Sequence, residues 1–121
     1  MPTQVVRASE LEPFNFGDLA IADYTAGNGT TSSIAVINVP AGAEHPTAYS
    51  DASDKYYLVL SGAVTFRIGG EEVTLGPLDL LVIPRGTEFA YVSTDGPAQM
   101  VLVHTPPFRA DAEILTGSPN T

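Results

Sequence analysis

The sequence predicts an all-β, antiparallel sandwich or barrel formed by a single domain. Three observations carry this. Short β-branched apolar runs recur roughly every 8–12 residues. No stretch of ten or more residues combines a helical apolar period with helix caps. Eleven glycines and 10 prolines in 121 residues supply the many turns such a fold needs. This length allows one real core, and it is too short for a TIM barrel or a full dinucleotide-binding enzyme.

The elements follow in order. Val5-Val6 and Leu19-Ala20-Ile21-Ala22 are weak strand candidates near the start. Ile34 to Val39 is a strand ended by Pro40-Ala41-Gly42, and Tyr56 to Leu60 is a second, ended by Ser61-Gly62. Val64 to Ile68 and Glu72 to Leu75 form a hairpin, because Gly69-Gly70 between them supplies the positive φ a tight turn requires. Leu80 to Ile83 is an apolar strand stopped by Pro84-Arg85-Gly86. Glu88 to Val92 and Gln99 to His104 complete the set, with a turn at Thr94-Asp95-Gly96-Pro97. Ala110 to Leu115 is expected to be a helical turn, and about residues 1–4 and 116–121 to be flexible ends.

Composition excludes several functions. With no cysteine there is no disulfide, thiolate nucleophile or iron–sulfur cluster, and two histidines cap any metal site at two imidazoles. Five basic residues against 14 acidic ones give a net charge of −9, so nucleic acid and anionic lipid are poor partners. No apolar run is long enough to span a membrane. No basic-then-apolar leader is visible at the start, which leads to the expectation of a cytoplasmic protein.

Two frameworks resemble the cupin superfamily. Pro40-Ala41-Gly42 followed by Lys55 to Gly62 resembles its first motif. Gly76-Pro77-Leu78-Asp79 followed by Ile83-Pro84-Arg85-Gly86-Thr87-Glu88-Phe89 resembles its second. His104-Thr105-Pro106-Pro107-Phe108 is similar to the ending of small single-domain cupins, and the likeness covers about residues 34–108. It implies a cupin-type jelly-roll β-barrel spanning residues 1–121 and a homodimer. The apolar runs at Ile34–Val39 and Met100–Val103 are the candidates for a second buried sheet face.

The same resemblance fails at the metal. The first family motif runs His-x-His, three or four residues, Glu, six residues, Gly. Counting back from Gly62 puts the Glu position on Lys55, and the His pair on Tyr49 and Asp51, or on Ala48 and Ser50 with the longer spacing. The second motif's His falls on Phe89. A charged ammonium has no lone pair and a phenyl ring has none to give, so the expectation is a metal-free cupin with no cofactor.

Lys55, Tyr57 and Val59 then share the inner face at period two, with Phe89 and Tyr91 facing them. Lys55 has three readings: a ligand-binding or catalytic amine, half of a structural ion pair, or a solvated side chain. Asp51, or Asp54 beside it, is its expected partner, and Tyr49 or Tyr57 its neighbouring hydrogen-bond donor. His45 reads as a surface-loop histidine or as one folded over the barrel mouth. His104 reads as a core histidine or as a cavity acid or base. Arg67 should point away from the face of Val64, Phe66 and Ile68, as a solvated or an interface arginine.

The expected ligand is a small organic molecule. In the leading reading, Lys55 or His104 is the base of a metal-independent isomerase, cyclase or lyase. Asp51 and Tyr49 assist, and Tyr57, Val59, Phe89, Tyr91 and His45 line the site. The alternatives are a non-catalytic sensor, and an atypical metal oxygenase using His45, His104 and Glu44.

Overall fold

The computed structural model describes residues 2–117. Among the described residues, eleven strands form two antiparallel sheets, apolar inside, as the jelly roll requires. The strands are β1 (Phe14–Phe16), β2 (Leu19–Asp23), β3 (Ser33–Val39), β4 (Glu44–Ser50), β5 (Asp54–Ser61), β6 (Val64–Ile68), β7 (Glu71–Leu75), β8 (Leu80–Ile83), β9 (Phe89–Val92), β10 (Ala98–Thr105) and β11 (Glu113–Leu115). The larger sheet has the order β1-β2-β3-β10-β5-β8, and the smaller β11-β4-β9-β6-β7. Met1 and residues 118–121, where flexible ends were expected, lie outside the described residues.

Alternation of side chains decides which residues meet. β5 and β10 both alternate buried with less buried positions, so each presents one face to the core. Cross-strand register then lays residues in rows. One inner row runs Ser33, His104, Lys55, Ile83 across β3, β10, β5 and β8. The next contains Ala35, Leu102, Tyr57 and Leu81. Tyr57, Phe66, Phe89 and Tyr91 pack between the sheets with centroids 4.9–6.5 Å apart. Tilted and edge contacts of this kind add about 0.5–1.5 kcal/mol per pair beyond area burial.

The outer face of the larger sheet is apolar as well. Val36, Val101, Leu58 and Leu80 form one row, and Ile34, Val103, Tyr56 and Val82 the next. Leu80 is 56% and Val82 45% exposed. Beside them Leu78, 75% exposed, holds a φ of 69°, a left-handed conformation that disfavours a branched side chain.

Two turns need glycine. Gly69 and Gly70, at φ of 60° and 81°, make the β6–β7 hairpin as expected. Gly62 has φ of 76° and sits under the β9–β10 turn, where an added Cβ would lie 2.4 Å from the Pro97 carbonyl oxygen.

The sequence reading missed or misplaced four regions. Phe14 to Phe16 is strand β1, paired to β2, where no strand was expected. Glu44 to Ser50 is a full strand, although Pro46 removes a ladder donor and argues against one. β4 accommodates it with a register irregularity between His45 and Ala48. Ala110 to Ala112 is a 3-10 turn, but Glu113 to Leu115 leaves it as strand β11, paired to β4. Three residues are too few for periodicity to separate strand from helix. Val5-Val6 forms no strand.

Candidate active site

The two sheets enclose a cavity of about 350 Å3, predominantly apolar. Its apolar wall comes from β1–β3 and the 106–115 segment, including Phe16, Ile37, Phe108 and Leu115. Its polar side chains are few: His45, Tyr57 and Tyr91, together with Lys55, His104 and Glu113, and Ser33, whose Oγ accepts from the Phe108 amide. Asp23 also reaches the wall, but its Oδ1 accepts from the Thr25 and Ala26 amides at 2.9 and 3.0 Å.

The irregularity at Pro46 builds one end of the site. It switches the parity of β4, so that His45, then Ala48 and Ser50, all turn inward. His45 becomes the cross-strand neighbour of Tyr91. Its ring lies 5.1–5.2 Å from those of Phe16, Phe89 and Tyr91. Nδ1 lies 2.6 Å from the Pro46 carbonyl oxygen. A carbonyl only accepts, so Nδ1 carries the proton and Nε2 keeps its lone pair. Burial, reinforced by the Lys55 charge, lowers the His45 pKa to about 4 against the Pro46 bond, so the ring is neutral near pH 7.

Tyr91 is 3% exposed, and its hydroxyl is buried with no hydrogen-bond partner. Burial pushes its pKa up, so it stays protonated and remains a donor. Tyr57 is shifted the same way, by burial first and by Tyr91 and Glu113 next.

Lys55 forms the other pole. It is 3% exposed, and its Nζ donates to Glu113 Oε1 in a short ion pair joining the larger sheet to β11 of the smaller. Nζ also lies 4.7 Å from the centroid of the Phe89 ring. Burial pulls the Lys55 pKa down, opposed by the Glu113 charge and hydrogen bond. Glu113 Oε2 is buried without a partner. His104 stands directly across from Lys55 in the inner row, with Nε2 likewise buried and unpartnered. Burial, then the Lys55 charge, lowers its pKa to about 3.

Several expectations are corrected here. Asp51 is exposed in the β4–β5 turn and does not pair with Lys55; its backbone amide donates to Ala112. Asp54 turns aside, accepting the Arg85 amide at 2.8 Å. The partner is Glu113, 58 residues away, and no local sequence signal links the two. Tyr49 faces the opposite side of β4 from Ala48 and does not line the cavity; of the two motif spacings, the structure shows the longer, with Ala48 and Ser50 inward. Val59 and Phe89 are buried in the core and neither lines the cavity; the Phe89 ring packs beneath Lys55 instead. Lys55, Tyr57, Tyr91, His45 and His104 are all at the wall. Arg67 is exposed beside Glu72.

The residues do not fit the metal that the family resemblance would bring. The inward β4 positions are Ala48 and Ser50, and Ser50 Oγ accepts from the Ala52 and Ser53 amides. The remaining positions hold the Lys55 ammonium and the Phe89 ring. Glu44 is exposed, and no three His, Asp or Glu side chains converge among the described residues, which removes the His45–His104–Glu44 arrangement.

Solved structures share the architecture. Streptomyces Pac13, described as a nucleoside dehydratase, is 24% identical, with 97% of this chain and 93% of that one covered at a TM-score of 0.84. A Pac13 variant with a histidine changed to glutamine, bound to uridine, matches equally. A protein from Planctomyces limnophilus matches at 24% identity, covering 95% of this chain and 97% of its own, with a TM-score of 0.80. KdgF from Halomonas sp. matches at 17% identity over 91% and 98%, with a TM-score of 0.79. At these identities the likeness carries the fold. No curated protein matches the sequence. The cupin domain family matches residues 35–104, more than half of the sequence and both glycine–proline frameworks, and the chain belongs to that family.

Proposed function

We propose that the protein is a metal-independent lyase that binds a small uncharged, ring-bearing molecule, a nucleoside or close analogue, and eliminates water from it. The observation that carries this is the His45–Tyr91 cross-strand pair at the wall of an apolar cavity. Neutral Nε2 of His45 is an acceptor, and the unpartnered Tyr91 hydroxyl is a donor. A dehydration needs those two capacities. A base removes a proton from carbon next to a carbonyl, the electron pair forms the double bond, and hydroxide leaves with a donated proton as water.

The likeness to Pac13 supports the substrate class. Two further Pac13 structures with uridine change tyrosines 34 positions apart, the separation of Tyr57 and Tyr91 here. Charge agrees with an uncharged ligand. Lys55 and Glu113 cancel, both histidines are neutral, and the aromatic rings offer planar surface.

The test is titration with a panel of nucleosides and their 5′-aldehydes, in the presence of a chelator, with products weighed for loss of one water. Binding with turnover is expected, and His45→Gln should keep binding but lose turnover. Binding without turnover by any member would leave a non-catalytic binding cupin. Turnover abolished by the chelator would overturn metal independence.

Two apolar rows on the outer face of the larger sheet support a homodimer. The chain carries −9 overall, so two copies repel except where no charge is presented. The two apolar rows across β3, β10, β5 and β8 provide such a face, and a second copy is the occupant it suits.

A further inference from the structure

The Lys55–Glu113 pair has capacity to spare. An ammonium carries three donors, and Glu113 Oε1 takes one. The other carboxylate oxygen, Oε2, is buried with nothing to accept. Both residues line the cavity, so one ion pair offers it a donor and an acceptor side by side. A buried polar atom left unmet is costly, and water is a poor occupant of so apolar a space.

We propose that this edge reads a cis-amide edge on the ligand ring, that of a cyclic imide or lactam. The ring N–H donates to Glu113 Oε2, and the adjacent carbonyl oxygen accepts from Lys55 Nζ. This rests on the reading of the cavity as a ring-binding site. A ligand carboxylate would set a second anion against Glu113, and an amine would set a second cation against Lys55. A planar ring with N–H beside C=O satisfies both at once. The pair is thus a specificity device, and the His45–Tyr91 end keeps the chemistry.

The discriminating change is made on the ligand, so that folding is not at issue. Calorimetric titration compares uridine with 3-methyluridine, and glutarimide with N-methylglutarimide. Each methylated compound lacks the N–H and keeps the rest. At least tenfold weaker binding of both methylated compounds is expected. Equal binding of the two nucleosides would overturn the proposal and leave the nucleoside reading standing. Discrimination between the free imides without nucleoside binding would uphold it and overturn the nucleoside reading. No binding by any of the four would overturn both. The double variant Lys55→Met/Glu113→Leu, checked for fold by circular dichroism, should lose the discrimination, and its persistence would also overturn the proposal.

Discussion

Lys55 and Glu113 form an ion pair across the two sheets, one residue on the second position of β5 and the other on the first of β11. The pair stands where the family's metal-holding positions have been replaced, so a side-chain bridge spans the space between the sheets. Because Lys55 is almost fully buried, the two charges depend on each other.

Removing one partner is therefore worse than removing both. Glu113→Gln strands a buried ammonium and should cost about 3–5 kcal/mol, whereas Lys55→Met/Glu113→Leu should recover most of that loss. Urea unfolding of the wild type and the variants measures it. Equal loss in the single and double variants would contradict the bridge.

Tyr91→Phe separates function from stability. The hydroxyl has no partner, so its removal should change stability by less than about 1 kcal/mol, or raise it. Turnover should fall at least tenfold, in line with the loss of a proton donor at the reacting group. Thermal melting and single-turnover rates read the two effects.

Acid should destabilise the fold through its histidines. Burial holds the folded-state values at about 4 for His45 and about 3 for His104, below the ordinary 6.5. Protonation therefore favours the unfolded chain. This contribution is fully present above about pH 6.5 and is lost progressively as pH falls towards 4 and below. His45→Phe and His104→Leu should each flatten the dependence of Tm on pH between 6.5 and 4, relative to the wild type.

Tyr49→Phe and Asp51→Asn should leave ligand affinity within about twofold, since neither side chain lines the cavity. A tenfold effect of either on calorimetric titration would show that the site extends beyond the described wall.

Leu80→Glu places a charge on the exposed β8 edge of the apolar outer face. Sedimentation velocity should find the wild type as a dimer and this variant as a monomer, with ligand binding retained. A monomeric wild type would rule out the second copy.

The strands with strong signatures were legible because their rules are local. Alternation along β5 and β10, the Gly69-Gly70 turn and the Pro84-Arg85-Gly86 stop each follow from a few adjacent residues. Lys55, Tyr57 and Tyr91 could be placed inward by counting in twos. On β4 the motif count left two spacings open, and only the structure selects the one with Ala48 and Ser50 inward and Tyr49 turned away, while a register irregularity at Pro46 brings His45 to the same inner face. β11 escaped notice because three residues carry no readable period.

The sequence by itself determined the all-β class, the cupin framework and the absence of the family's metal ligands, since each is a matter of residue types at short spacings. Only the tertiary structure decided that Lys55 pairs with Glu113 rather than with Asp51, and that His45 meets Tyr91. Those partners lie 58 and 46 residues apart, and the closing of one sheet over the other, with its register and one irregular strand, brings them into contact.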